Sequence, residues 1–334
     1  MNNDKLNVAL LVGGTSPERQ VSKASSKSIY KALTELGYNV KVFDPGHGVN
    51  QLTNIDDYFV ENEIGDLKDE NYIKLIASPL FDNIDVVFIG LHGKWGEDGA
   101  LQSLLELRGI KYTGSSILAS AIAMDKIYSK IMFRHFGVLT PNWIDLENGS
   151  YDLTTIKTEI KNQIFYPCIV KPNDSGSTIG LSKCKDESEI ESAIIEAFKY
   201  SSKILIEEFI PGRELTVAVI DNKTYPVLEI IPHSGFYDYE SKYTPGMTDY
   251  IVPADISDEL SEHLQKQALL AFKALGCKTY SRVDFRVNEK NEAYVLEVNN
   301  LPGMTSTSLV PKMAKCEGLS FNELIDIILK DAIK

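Results

Sequence analysis

The sequence predicts an α/β protein, α+β in its later part, with an N-terminal parallel-sheet unit followed by two further packed units. Three observations carry this expectation. The chain has 334 residues, more than one ordinary core of roughly 100–200 residues organises. Its start reads apolar strand, Gly-Gly turn, amphipathic helix and strand, the order that builds parallel sheets. Its second half is rich in short apolar strands and closes with amphipathic helices. Hydrophobic residues at 43% and charged residues at 24% exclude wholesale disorder. A formal charge of −13 repels phosphate backbones and argues against nucleic acid as a partner. The apolar run VALLV is too short for a signal peptide or a membrane span. Cys168, Cys184, Cys277 and Cys316 lie far apart without a CxxC pair, which suggests neither a zinc site nor a disulfide framework. A reduced, cytoplasmic protein is expected.

Residues 8–12 read as a buried strand. A helix is expected over 17–36, with Ser25, Ile29, Ala32, Leu33 and Leu36 at helical spacing, Ser16 as its N-cap and Pro17 at its first position. Residues 39–44 and 84–90 read as further strands, while 50–80 is polar and without a clear period. Residues 115–136 are helical with a break near Asp125. The next unit starts with a strand at 167–171 and its loop 172–180. A helix over 187–200 follows, led by Asp186 and Glu189 at capping-box spacing, and then a strand over 204–210. Pro211-Gly212 forms a hinge into strands at 215–220 and 227–231. An amphipathic helix covers 258–275, and Ser320 with Glu323 opens a last one.

The segments SRVDFRV and YVLEVNN carry the most chemistry. Along a strand, Arg282, Asp284 and Arg286 share one face and Val283, Phe285 and Val287 the other. In the partner segment Tyr294, Leu296 and Val298 form the apolar set, with Val295, Glu297 and Asn299 opposite. A hairpin with Lys290-Asn291 as a two-residue turn sets Asp284 opposite Glu297 and Arg282 opposite Asn299. Facing carboxylates repel unless something offsets them. Two carboxylates and an amide oxygen suit Mg²⁺, which keeps few protein ligands and completes its shell with water and phosphate. Arg282 beside them could stabilise an oxyanion. An ordinary solvated sheet face is the competing reading.

IVKPNDSGSTIG ends a strand on Lys171 and continues into a small-residue loop with Gly176 and Gly180. Such a loop offers backbone N–H groups to phosphate and is not a Walker A loop. Lys126 and Lys242 are further cations for phosphate. Glu207, Glu208 and Glu214 flank the hinge, where carboxylates could accept from a base amino group or ribose hydroxyls while Phe209 and Ile210 pack on the base.

The motifs GGTSPERQVS, LHGKWGEDG, YTGSSILASAIAMDK, KPNDSGSTIG, EEFIPGREL, FYDYESKY, SRVDF and EVNNLPGMTSTS occur in this order. With them the chain resembles the D-alanine–D-alanine ligases of the ATP-grasp superfamily over nearly its whole length, most weakly between residues 50 and 83. Single motifs are generic to ATP-grasp enzymes, while FYDYESKY and NNLPGMTSTS point to this branch. The resemblance implies a three-domain ATP-grasp architecture: a parallel-sheet substrate domain (1–121), a central subdomain with the phosphate loop (122–211), and a C-terminal subdomain with metal and substrate sites (212–334), the last two clasping ATP.

The resemblance also implies an ADP-forming carboxylate–amine ligase that joins two D-alanines through D-alanyl phosphate for peptidoglycan precursors, as a cytoplasmic homodimer. Its ATP would be held by Lys126, Lys171, Gly176, Ser177, Lys242, Glu207, Glu208, Phe209, Ile210 and Glu214. Two Mg²⁺ ions, replaceable by Mn²⁺, would sit on Asp284, Glu297 and Asn299. Glu18 would take the first D-alanine's ammonium near His92, and Gly303, Ser308 and Leu309 would receive the second. Arg282 would stabilise the tetrahedral oxyanion, assisted by the Gly303 N–H. The loop 236–247 would close as a lid, its Tyr243 linked through Ser177 to Glu18. Ser103, Thr178 and Asn300 are mild departures from the pattern. Ligation of D-alanine to D-lactate or D-serine is the nearest alternative, and a nucleotide-binding regulator without catalysis is a rival from another class.

Overall fold

The computed structural model describes residues 6–176, 178–233, 244 and 246–334. The first sheet is parallel, in the order β2-β1-β3-β4, with β1 (Asn7–Leu11), β2 (Asn39–Phe43), β3 (Val86–Ile89) and β4 (Lys111–Tyr112). Val8 through Val12 are wholly buried, as a strand covered on both faces must be. Helix α1 (Arg19–Glu35) covers this sheet with Ile29, Ala32 and Leu33. It starts two residues later than its Pro17 signal suggests. Ser16 Oγ accepts from Glu18 N at 3.1 Å, and Glu18 itself stands at the N-cap. Arg19, buried against Asp44 at 2.6 Å, donates to Gly14 O at 2.6 Å and ties the first turn to the Gly-Gly loop. Glu18 is therefore held at the mouth of the sheet.

The unpatterned stretch holds a short 3₁₀ turn (Ile55–Phe59) and helix α2 (Asn71–Ile76), which send Tyr58, Tyr72 and Leu75 into the first core. Helix α3 (Ala100–Arg108) precedes α4 (Ile117–Met124) and α5 (Lys126–His135). The expected break falls between the last two. Asp125 caps α5 by accepting from Tyr128 N at 2.9 Å, which places Lys126 at the start of the helix.

The second sheet is antiparallel, β5-β8-β6-β7, from β5 (Trp143–Glu147), β6 (Cys168–Pro172), β7 (Ser182–Cys184) and β8 (Lys203–Glu208). Helices α6 (Leu153–Glu159) and α7 (Ile190–Ala197) belong to this unit. Asp186 and Glu189 do not form a capping box: Asp186 accepts from Ser188 N, Glu189 accepts from Lys185 N at 2.6 Å, and a 3₁₀ turn precedes α7. Cys168 and Cys184, remote in sequence, face each other across β6 and β7 as free thiols.

The third sheet runs β12-β11-β9-β13-β14, with β10 paired to β9. Its strands are β9 (Arg213–Ile220), β10 (Lys223–Thr224), β11 (Leu228–Pro232), β12 (Thr248–Ile251), β13 (Tyr280–Val287) and β14 (Ala293–Asn299). Helix α8 (Asp258–Ala274) packs on it through Leu264, Ala268, Ala271 and Phe272, and Ser257 caps that helix.

In the hairpin β13–β14, Arg282 faces Asn299 and Asp284 faces Glu297, as the turn register predicts. The register then shifts, because Phe285 faces Val295 and Leu296 is an extra residue on β14. The buried set is consequently Ala293, Val295 and Val298, and not the alternating Tyr294, Leu296 and Val298. The connection is also longer than the two residues expected. Asn288 Oδ1 accepts from Lys290 N and Glu292 N, and Asn291 adopts φ 60° to close a three-residue loop.

We propose 1–121, 122–211 and 212–334 as divisions in chain order. Packing cuts across them at two places. Helices α9 (Leu309–Cys316) and α10 (Phe321–Ala332) join the first core through Met313, Leu324, Ile325 and Leu329. Ala123 and Phe133 of α4 and α5 join the core of the third sheet. Ser320 and Glu323 form the expected capping box. Among the described residues no helix is long and apolar enough to cross a membrane.

Candidate active site

A cleft opens between the second and third sheets, holding about 960 Å³ of atom-free space with its solvent mouth included. The sheets bring to it the ends of β6 and β8 on one side and the β13–β14 hairpin on the other. Ile169, Leu181 and Leu296 supply apolar walls, the last aimed there by the bulge.

At the inner end, Lys171 Nζ lies 2.5 Å from Glu207 Oε2. Both are buried, Glu207 to 2% exposure, so each charge needs the other. Glu207 Oε2 nevertheless has no aligned hydrogen-bond donor among the described residues, and is free to accept one from a ligand. Glu208 turns aside, its Oε2 accepting from Asn142 N at 3.3 Å and Asn142 Nδ2 at 3.1 Å. The Phe209 ring has Lys183 Nζ 3.7 Å from its centroid, and buried Ile210 follows. Arg286 donates to Ile210 O, to Gly212 O and, at 3.4 Å, to Glu214 Oε2, which fixes the hinge segment along the cleft.

Towards the loop 172–180, Lys126 Nζ donates to Ser175 O at 2.8 Å and stands 3.7 Å from Glu297 Oε2. Burial pushes its ammonium below the ordinary lysine range, with Glu297 opposing. On the hairpin, Thr216 Oγ1 donates to Asp284 Oδ1 at 2.6 Å, and Arg282 donates to both Asp284 oxygens at 2.8 Å. Asn299 Nδ2 donates to Asp284 Oδ2 at 2.9 Å. Asp284, Glu297 and Asn299 thus lie at neighbouring positions with an all-oxygen donor capacity that fits a hard divalent cation. Such an ion would turn the Asn299 amide to present its oxygen.

Glu18 stands across from the loop. A methyl group on Gly176 would sit 3.2 Å from each Glu18 carboxylate oxygen, so the loop backbone runs directly against that carboxylate. At Gly93 (φ 71°) a side chain would collide with Glu18 Oε2 at 2.6 Å. His92 is buried, with Nε2 3.2 Å from Ser25 Oγ and Nδ1 3.2 Å from Glu97 Oε1. Burial pushes the Glu97 carboxyl above its ordinary range, and the His92 hydrogen bond opposes this.

Ser25 Oγ also accepts from Met304 N at 3.2 Å, joining α1 to the segment that carries Gly303. Ser308 Oγ accepts from Thr305 N at 3.0 Å and lies 3.3 Å from where a Gly303 side chain would begin. Leu309 is buried at the start of α9.

Lys126, Lys171, Gly176, Glu207, Glu208, Phe209, Ile210, Glu214, Asp284 and Glu297 all line one cleft. Arg282 and Asn299 reach it through Asp284, and Glu18 through Gly176. Ser177, Lys242 and Tyr243, with most of the 236–247 loop, lie outside the described residues. Sequence reasoning gave no site role to Arg286, Thr216, Ser25, Glu97 or Lys130, although it set Arg286 on the face of Asp284 and Ser25 on the first helix. Alternation on β13 places Arg286 on the face of Asp284 and could have flagged it. Glu97 meets His92 only five residues away and lies within the same motif, whereas Thr216, Ser25 and Lys130 act through partners remote in sequence, which no local spacing reveals.

The chain matches the family models for the D-ala D-ala ligase N-terminus over residues 7–115 and the D-ala D-ala ligase C-terminus over residues 132–330. It is 42% identical over 325 residues to a D-alanine–D-alanine ligase of Syntrophotalea carbinolica, covering 97% of this chain and 95% of that one. Among solved structures it resembles the D-alanine–D-alanine ligase of Bacillus anthracis complexed with ATP, with 30% identity and a TM-score of 0.77 over 98% of this chain and 97% of that one. It also resembles the VanG D-Ala:D-Ser ligase of Enterococcus faecalis, with 28% identity and a TM-score of 0.83 over 98% of this chain and the whole of the other. The chain belongs to the D-alanine–D-alanine ligase family, an ATP-grasp fold.

Proposed function

We propose that this protein joins two D-alanines to D-alanyl-D-alanine at the expense of ATP, by way of D-alanyl phosphate, in the cytoplasm and as a homodimer. One observation carries the reading: a single cleft brings together the buried Glu207 carboxylate and the lysines Lys126 and Lys171, and its loop at Gly176 runs against the Glu18 carboxylate. Family membership supports the same activity.

In this reading the adenine lies between Phe209, Ile210 and Leu296, its amino group donating to Glu207 Oε2 and the ribose hydroxyls to Glu214. Lys171, Lys126 and Lys242 spread the charge of the phosphates, and the backbone from Ser175 to Thr178 donates to them. Glu18 takes the ammonium of the first D-alanine and turns its carboxylate towards the γ-phosphate, with His92 alongside. A carboxylate oxygen attacks the γ-phosphorus, the bond to the bridging oxygen breaks, and ADP leaves from an acyl phosphate. Asp284, Glu297 and Asn299 would hold Mg²⁺, and the ion would supply positive charge against the phosphates.

Ser308 and Leu309 position the second D-alanine. Its neutral amine attacks the acyl carbon, Arg282 and the Gly303 N–H stabilise the oxyanion, and the carbon–oxygen bond breaks so that phosphate leaves with the surplus proton of the amine. Water must be excluded, because an acyl phosphate hydrolyses. The 236–247 loop is the candidate lid, with Tyr243 and Ser177 completing the link to Glu18.

The test is phosphate release from ATP with D-alanine against L-alanine, with the product mass recorded. Release with D-alanine alone and a product of dialanine mass is expected; equal release with L-alanine, or none, would refute the reading. The likeness to a D-Ala:D-Ser ligase gives a second reading for the acceptor. D-serine and D-lactate in the same assay decide it, and dialanine is expected to dominate.

A further inference from the structure

We propose that Lys130, hidden behind the cleft and unused in the mechanism above, is a positioning residue for base recognition: it holds Glu207 so that one oxygen stays aimed at the 6-amino group of a purine. The inference rests on the reading of this cleft as an ATP site.

Lys130 is wholly buried on α5, one turn after Lys126. The i,i+4 spacing puts both lysines on one face, so a single helix serves both ends of the cleft. An ammonium has three N–H donors. Two are spent on Thr140 Oγ1 at 2.8 Å and Pro141 O at 2.9 Å. Glu207 Oε1 stands 3.6 Å from the ammonium as its ion-pair partner. The anchor is itself fixed, since Thr140 Oγ1 donates to Val295 O and Val295 N donates to Leu139 O, both at 2.8 Å. Lys130 is thus stitched to β14 next to the bulge that sends Leu296 into the cleft.

Glu207 therefore has a cation on each side, Lys171 on Oε2 and Lys130 on Oε1. Without Lys130 the carboxylate is drawn to grip Lys171 with both oxygens, and the unaligned acceptor Oε2 loses its aim. A carboxylate only accepts hydrogen bonds, so it favours a base with a 6-amino group over one with a 6-keto oxygen. Holding a lysine here is costly: burial pushes its ammonium down to about 7, with Glu207 opposing. An apolar side chain of similar length would fill the space without that cost, so packing alone does not account for a cation at this position.

The experiment is equilibrium binding of ATP and ITP, the 6-keto analogue, to the full chain carrying Lys130→Met or Lys130→Gln, with and without Glu207→Gln. KM values for ATP and for D-alanine are measured alongside. Wild type should prefer ATP to ITP. Each Lys130 variant should weaken ATP by roughly 10–100-fold, the scale of one hydrogen bond to a charged group, with ITP little changed. The KM for D-alanine should move less than about twofold. In the Glu207→Gln background Lys130→Met should add little, since both act through one contact.

ATP bound as tightly as by wild type would overturn the inference. So would parallel losses of ATP, ITP and D-alanine, or failure of both variants to fold, because each makes Lys130 merely structural. A wild type that binds ATP but does not distinguish it from ITP removes the inference and leaves the ATP reading intact. A wild type that binds neither nucleotide removes both.

Discussion

Replacing Asp284 with asparagine is expected to lower D-alanine-dependent ATP hydrolysis by roughly 10³-fold or more, a barrier change of about 4 kcal/mol. The substitution keeps the size of the side chain and a partner for Thr216, which donates to Oδ1 at 2.6 Å. What it removes is the negative charge that Arg282 grips with two hydrogen bonds and that faces Glu297 across the hairpin. Two changes follow together. The proposed cation site loses one of its two carboxylates, and the Arg282 guanidinium loses its anionic partner in a largely buried place. A melting curve separates the chemical effect from a folding effect. Turnover near the wild-type rate in a folded Asp284→Asn protein would remove the metal assignment, and with it the role given to the hairpin.

The second large effect is expected at Arg282. Arg282→Ala should reduce turnover by about 10²–10³-fold, the range seen when one oxyanion donor is removed, while ATP binding weakens by no more than about threefold. The division between the two numbers is the test. Arg282 contacts Asp284, whereas the proposed base contacts are Glu207, paired with Lys171, and Phe209, next to Lys183. Asp284 keeps Thr216 and Asn299 as donors after the substitution, so the carboxylate stays in position. Equal losses in turnover and in ATP affinity would mean that the arginine only braces the hairpin.

Much of this site could be read directly from the residues, for a definite physical reason. Charged residues at strand spacing carry their own register: with a short turn assumed, Asp284 falls opposite Glu297 and Arg282 opposite Asn299, and the structure has those pairs. The assumed turn was nevertheless one residue too short. The error vanishes beyond the bulge because the extra residue at Leu296 makes up for it. Alternation cannot count an inserted residue, so the apolar face of β14 was misread even though its polar end was correct. Capping signals behaved similarly. Ser320 caps a helix whose third residue, Glu323, reaches back to the Ser320 N–H, whereas the Glu189 carboxylate accepts from Lys185 N instead. Pro17 announced a helix that begins only where Arg19 is anchored by Asp44 and Gly14.

The parts that stayed hidden depend on contacts far apart in the chain. Ser25, between His92 and Met304, and Lys130, between Thr140 and Glu207, look in sequence like ordinary helix residues. The segment 50–80 was unreadable because its elements are too short to show a period, although Tyr58 and Tyr72 are firmly in the core. Cys168 and Cys184 became neighbours only through strand pairing. The substrate roles of Glu18 and His92 came from family resemblance; the structure contributes the close approach of Gly176 to Glu18.

The central claim is that the cleft activates a carboxylate by phosphorylating it, and isotope transfer tests this most directly. D-alanine labelled with ¹⁸O in its carboxylate is incubated with ATP and the enzyme, and the released phosphate is analysed by mass spectrometry. Attack of a carboxylate oxygen on the γ-phosphorus, followed by loss of phosphate to the incoming amine, should leave one ¹⁸O in each phosphate released and one at the new peptide carbonyl. Phosphate free of label alongside normal dipeptide formation would contradict the account.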